Sequence, residues 1–158
     1  MRYTGGTSMK LLFVCTGNTC RSCMAEAIFN ELCNINGVTS SSAGLSVVPE
    51  SIISKNSHLL VKQNLNIDLE NRKAVQFTEG MLEEFDLILT MTGYMANIIK
   101  NNFKKYDSKV YSLNEYISIN RDITDPYGGN IDVYRDTFND LKSSIELLIK
   151  KLEDKGIV

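Results

Sequence analysis

An uninterrupted apolar run, Leu11–Cys15 (LLFVC), that breaks at the polar Thr16-Gly17-Asn18 constrains this chain more than any other feature. A short apolar run without alternation marks a strand buried on both faces. After the break, Met24, Ile28 and Leu32 recur four apart with Ala25 and Phe29 beside them, the stripe of an amphipathic helix. The chain therefore opens as strand, polar loop, helix. The pattern then repeats. Val38–Ser42 reads as a second strand after a turn at Asn36-Gly37, and Pro49 leads into a helix through about Val61 that offers Ile52, Ile53, Leu59 and Leu60 to a sheet. Phe85–Met91 is a third strand, Tyr94–Phe103 a helix and Val110–Leu113 a fourth strand. Asn120–Asn130, with Pro126 and a Gly-Gly pair, is a loop. In the last helix Phe138, Leu141, Ile145, Leu148, Ile149 and Leu152 form one apolar stripe. Strands alternating with helices predict a single α/β domain, a parallel sheet with helices on both faces.

The 158 residues suit one domain with its own core, without repeat or linker. Basic and acidic residues nearly balance, 17 against 19, with no basic cluster, so no nucleic-acid partner is expected. No apolar run is long enough to span a bilayer, and no membrane partner is expected. Residues 1–8 (MRYTGGTS) lack an apolar h-region and read as a leader or tail outside the fold, leaving residues 9–158 as the domain. All four cysteines fall between Cys15 and Cys33, which points to a site rather than a disulfide framework. A reducing cytoplasm is the expected compartment.

In a parallel α/β sheet, ligands bind beyond the carboxyl ends of the strands. The segment CTGNTCRS, Cys15–Ser22, lies there. Main-chain N–H groups from Thr16, Gly17, Asn18, Thr19, Cys20, Arg21 and Ser22 can curl around an anion at a helix N-terminus. Gly17 and Asn18 tolerate the left-handed backbone that a tight cradle needs. Arg21 presents a planar fork that matches two phosphate oxygens. Cys15 would lie under the phosphorus in a field that favours the thiolate, with the Ser22 hydroxyl donating to it. A thiolate attack on phosphorus calls for a general acid at the leaving group. Asp125, stiffened by Pro126 in the loop before the last helix, is the candidate; Asp122, Asp132 and Asp136 read as solvated or helix-capping. The bland alternative is a strand-end cysteine followed by a helix-start arginine, with an ordinary Asp-Pro turn.

CTGNTCRS, with MAE at Met24–Glu26, SAG at Ser42–Gly44 and DPYGG at Asp125–Gly129, resembles the low-molecular-weight protein tyrosine phosphatase family over essentially the whole chain from Met9. The resemblance implies a four-stranded parallel sheet in the order 2-1-3-4. It also implies hydrolysis of phosphorylated protein side chains by Cys15 as nucleophile, Arg21 as phosphate clamp and Asp125 as acid then base. Asn18, Ser22 and Ser42 match positions that hold the loop's shape. No cofactor or metal is implied, and a monomer is expected. Thr19, where tyrosine-directed members usually carry an apolar residue, and a flap with Tyr127 as its one aromatic look like the bacterial protein arginine phosphatases. Phosphoarginine is therefore the favoured substrate and phosphotyrosine the alternative. Two positions depart from the family: Cys23 stands in place of a proline, and Arg72 falls where many members carry a histidine that buttresses the loop. Cys20 or Cys23 is a candidate to capture an oxidised Cys15.

Rival readings use the same residues less completely. Cys15, Cys20 and Cys23 have the C-x4-C-x2-C spacing of an iron–sulfur site, and a zinc site is a variant. Both leave Arg21 and Asp125-Pro126 unemployed. A thioredoxin-linked arsenate reductase needs cysteines beyond Cys33. A cysteine hydrolase with a histidine base must use His58, the single histidine, which sits in a helical pattern.

Overall fold

Strand β1 (Met9–Cys15) is the hub of the computed structural model, which describes residues 8–156. Its alternate side chains feed two apolar layers. Leu11, Phe13 and Cys15 face α1 (Arg21–Leu32), α2 (Lys55–Leu65) and α6 (Ile131–Asp154). Leu12 and Val14 face α3 (Glu79–Glu84) and α4 (Gly93–Asn102). Because both faces are covered, the run needs no polar alternation. The sheet is completed by β2 (Val38–Gly44), β3 (Leu87–Thr90) and β4 (Val110–Ser112), all parallel, in the order β2-β1-β3-β4. A 3-10 segment, Lys104–Lys109, leads into β4, and the short α5 (Leu113–Tyr116) follows it. The leader expected at residues 1–8 lies, for 1–7, outside the described residues; Ser8 is exposed. Among the described residues no helix is long and apolar enough to cross a membrane.

Edge strand β2 is rich in serine, yet most of it is buried. Asn30 of α1 makes this possible: its Nδ2 donates to the Ser40 carbonyl at 3.0 Å and its Oδ1 accepts from the Ser40 N–H at 2.9 Å. A side-chain amide thus replaces the missing neighbour strand. The helix expected from Pro49 to Val61 is corrected. It begins only at Lys55, capped by Ser54, and runs on to Leu65. Before it, Glu50 is left-handed (φ 68) and Ile52 bridges antiparallel to Lys73. The backbone of Ser51–Ile53 is taken by that pairing, so Ile53 and Leu60 are buried while Ile52 is exposed. The third strand is also two residues shorter at its start than expected: Asp86 N–H still donates to the Lys10 carbonyl at 2.8 Å, but the Lys10 N–H goes to the Asp86 carboxylate, also at 2.8 Å, rather than to a main-chain carbonyl.

Candidate active site

Cys15 ends β1 and Arg21 begins α1, so the five residues between them turn back above the sheet's carboxyl edge. Main-chain bonds on both sides fix that turn. Leu45 N–H donates to the Cys15 carbonyl and Ser46 N–H to the Thr16 carbonyl, both at 2.9 Å, and Ser54 N–H donates to the Thr19 carbonyl at 2.9 Å. Gly44 lies directly beneath: a Cβ there would stand 2.6 Å from the Thr16 carbonyl oxygen and 2.9 Å from Asn18 N. The close approach explains why a glycine ends β2. Of the two residues expected to take left-handed backbone, Asn18 does (φ 57) and Gly17 does not.

Asn18 is fully buried and every polar atom of its side chain is used. Its Nδ2 donates to Ser22 Oγ at 2.7 Å and to Ser42 Oγ at 3.0 Å. Its Oδ1 accepts from Arg72 Nη1 at 3.1 Å and from Val75 N–H at 2.9 Å. The assignment leaves one outcome for Ser22: it accepts from Asn18, so its own proton is free for Cys15 Sγ, 2.8 Å away. Asn18 N–H, 3.2 Å from the same sulfur, gives a second donor. Two hydrogen-bond donors therefore converge on the one sulfur.

Arg21 is buried, with Nη1 donating to the Ile123 carbonyl at 3.0 Å and Nη2 3.7 Å from Asp125 Oδ2. Asp125 is half-exposed, and its other oxygen accepts the Tyr127 N–H at 3.1 Å, an Asx turn that points the carboxylate inward. Pro126 and Gly129 close this loop (Gly129 N–H to Pro126 carbonyl, 2.8 Å), with Gly128 at φ 83. A cavity of about 480 Å³ results, with Cys15 in its lining and Arg21, Asp125, Thr19, Tyr127 and Val48 around it. Sulfur, guanidinium and carboxylate therefore converge on one space. Among the other aspartates, Asp122 accepts the Gly93 N–H at the start of α4, and Asp132 pairs with Arg135 at 2.7 Å. His58, on α2, faces Asp68 at 3.9 Å and is not part of the cavity lining.

The remaining cysteines have separate surroundings. Cys20 Sγ lies 3.4 Å from the Tyr134 hydroxyl and 3.6 Å from Ser54 Oγ. Burial, and then the Cys20 contact, push the Tyr134 hydroxyl up to about 12. Cys23 Sγ donates to the Asn18 carbonyl at 2.9 Å, and burial pushes its thiol far up from the ordinary range. Among the described residues no three His, Cys, Asp or Glu side chains gather as a metal ion would require. Sequence reading did not identify Gly44, the Ile123 carbonyl, Glu26 as a support, or the Ser54–Tyr134 pair at Cys20. Only Gly44 and Glu26 had a local signal, in the SAG and MAE segments.

The chain matches the family model described as low molecular weight phosphotyrosine protein phosphatase over residues 10–157. It is 36% identical over 149 residues to a protein-arginine-phosphatase of Bacillus subtilis, covering 92% of this chain and 97% of that one. It is 39% identical over 137 residues to the low molecular weight protein-tyrosine-phosphatase PtpB of Staphylococcus haemolyticus, covering 84% and 92%. Among solved structures, a YwlE arginine phosphatase mutant with a phosphorylated active-site serine superposes with a TM-score of 0.85 at 36% identity, covering 92% of this chain and 96% of that one.

Proposed function

The chain belongs to the low molecular weight phosphotyrosine protein phosphatase family, and from that membership we propose that it cleaves phosphoarginine in proteins through a phosphocysteine on Cys15. The observation that carries the reading is the convergence of Cys15, Arg21 and Asp125 on one cavity. In the first step the Cys15 thiolate attacks phosphorus, the bond to the side chain breaks with its electron pair on the departing atom, and Asp125 delivers its proton there. Arg21 and the loop N–H groups hold the phosphoryl oxygens as charge develops. In the second step Asp125 takes a proton from water, whose oxygen attacks phosphorus and releases phosphate and the free thiolate. The relative with a phosphorylated active-site serine supports a covalent phosphoenzyme.

Asp125 is assigned as the proton donor to a poor leaving group. Asp125→Ala is expected to lower kcat/KM, which reports the step that expels the leaving group, about 100-fold or more for phenyl phosphate. Its effect on 4-nitrophenyl phosphate, whose phenolate leaves without help, should be less than about tenfold. Equal losses on the two substrates refute the acid role.

Support for phosphoarginine comes from the cavity wall. Thr19 brings a hydroxyl to it, and Tyr127, 82% exposed, is the single aromatic among the described lining residues. Tyrosyl phosphate needs a flat apolar slot on both ring faces. A guanidinium brings its own hydrogen-bond donors, and the Asp125 carboxyl oxygens at the cavity mouth can accept from them. The test is a competition between matched phosphoarginine and phosphotyrosine peptides. Wild type is expected to prefer phosphoarginine, and Thr19→Ile to shift the kcat/KM ratio toward phosphotyrosine by about tenfold. A wild-type preference for phosphotyrosine overturns the substrate assignment and leaves the phosphatase reading intact.

A further inference from the structure

The chain that leads from the sheet to Asp125 passes over a buried side chain that no step of the reaction touches. Ser112, the last residue of β4, caps α5 directly: its Oγ accepts the Glu115 N–H at 3.1 Å, and Glu115 Oε1 accepts the Ser112 N–H at 3.3 Å. Asn114 is thereby held close to the sheet's carboxyl edge, and the chain after α5 curls around it. Its carbonyl accepts the Ile117 N–H at 3.2 Å and the Ile119 N–H at 2.8 Å, with Ser118 left-handed between them (φ 65). Its side chain meets the same segment again, where Nδ2 donates to the Arg121 carbonyl at 2.9 Å. On the other side Oδ1 accepts from Ser144 Oγ of α6 at 2.7 Å. A carbonyl can only accept, so the amide end must face Arg121 and the serine must donate to the oxygen. Asn114 and Ser144 are each 1% exposed, and water does not compete for either.

We infer that Asn114, oriented by Ser144, is a positioning residue for Asp125: it fixes the root of the flap from which the carboxylate reaches the cavity, a role that rests on the reading of Asp125 as proton donor. Arg121 precedes Asp125 by four residues, and the residues between them have anchors of their own. Asp122 Oδ1 accepts the Gly93 N–H at 2.9 Å, Ile123 N–H donates to the Met91 carbonyl at 3.0 Å, and the Thr124 carbonyl accepts from Thr137 Oγ1 at 3.4 Å. The Asp122 contact is open to water and the Thr137 contact is long. The Asn114 contact is short, buried and braced by α6. Ser144 stands in the apolar stripe of that helix beside Leu141, Ile145 and Leu148, where an apolar side chain would bury more favourably. Its hydroxyl goes to Asn114 instead. Shortening Asn114 leaves both the Arg121 carbonyl and the Ser144 hydroxyl without this partner. The flap root then loosens. Asp125, 55% exposed and 3.7 Å from Arg21, gains positions other than the one that meets the departing atom.

Two aryl phosphates separate placement of the acid from general damage. kcat/KM is measured with phenyl phosphate and 4-nitrophenyl phosphate in wild type, Asn114→Ala, Ser144→Ala and the double variant Asn114→Leu/Ser144→Ala, each also in the Asp125→Ala background. Asn114→Ala is expected to lower kcat/KM about tenfold for phenyl phosphate and less than about twofold for 4-nitrophenyl phosphate. Ser144→Ala should show the same selectivity at about threefold. Where Asp125 is already alanine, Asn114→Ala should cost less than about twofold on either substrate, because the group it places is gone. The double variant exchanges the buried polar pair for apolar groups and should regain most of the Tm lost in Asn114→Ala, while its phenyl phosphate defect stays. Equal losses on the two substrates in Asn114→Ala overturn the proposal. So does a full loss that persists without Asp125, or a phenyl phosphate rate that returns together with Tm. Hydrogen exchange across residues 119–127 reads the flap without turnover and should quicken in Asn114→Ala relative to β1 and β2. If Asp125→Ala alone loses equally on both substrates, the acid reading fails and exchange decides the anchoring: faster exchange supports it, unchanged exchange overturns it. If Asn114→Ala does not fold, Ser144→Ala decides by the same substrate ratio.

Discussion

Cys15→Ser is expected to lower kcat for an aryl phosphate by at least about 10⁴-fold, a barrier increase of about 5 kcal/mol at 1.36 kcal/mol per decade. The substitution keeps the packing, since Cys15 is only 3% exposed and serine is slightly smaller than cysteine. It also keeps partners for the new hydroxyl in Ser22 Oγ and Asn18 N–H. What it removes is the nucleophile, because near neutral pH a serine hydroxyl is ionised far less than a thiol with two donors on its sulfur. No histidine base stands in the cavity lining to compensate. The variant should therefore still bind substrate, with KM within about threefold, while turnover disappears. Steady-state kinetics check this, together with phosphopeptide mapping of acid-quenched wild type for phosphate on Cys15. Wild-type turnover by the serine variant rules out the covalent step.

The parts of this fold that were legible in the sequence are those whose partners are close along the chain. The LLFVC run followed by a polar loop could be read because burial on both faces and a helix start leave a local pattern. The stripe from Phe138 to Leu152 shows for the same reason, at helical spacing. Cys15, Arg21 and Ser22 were visible because one loop carries all of them. The start of α2 was not visible. Ile52 and Ile53 look like helix residues by polarity, yet their backbone pairs with a segment about twenty residues onward, a contact that no local window contains. Strand β2 was legible as Val38–Ser42, but what satisfies its edge was not, because that group is Asn30, on a helix that precedes it. Arg72 could be noticed as an unusual residue, but its targets Asn18, Ser42 and Glu26 come from three separate elements. Gly44 shows the same limit: its need to be glycine comes from the Thr16 carbonyl passing 2.6 Å from where a Cβ would sit.

Arg21→Ala is expected to lower kcat by about 10³-fold or more, and to do so by two routes that Arg21→Lys separates. One route is direct. The guanidinium fork gives two parallel donors to a phosphoryl group whose charge changes along the reaction, and removing such a donor set costs several kcal/mol of transition-state stabilisation. The other route runs through the loop that carries Asp125. Arg21 Nη1 holds the Ile123 carbonyl, two residues before Asp125, and Nη2 faces the carboxylate itself at 3.7 Å. Alanine leaves that buried carbonyl without its charged donor, at about 1–3 kcal/mol, so that Ile123 is held only by its N–H bond to the Met91 carbonyl. In a domain of this size that corresponds to a drop in Tm of roughly 2–10 °C. Lysine keeps the charge but offers a single point where the fork had two arms. It can sit on the phosphate or on the Ile123 carbonyl, but not on both. Arg21→Lys should therefore regain most of the lost Tm while recovering less than about tenfold of the lost kcat. Near-wild-type kcat in Arg21→Lys would show that charge alone suffices and that the fork geometry at Ile123 and Asp125 plays no part in turnover.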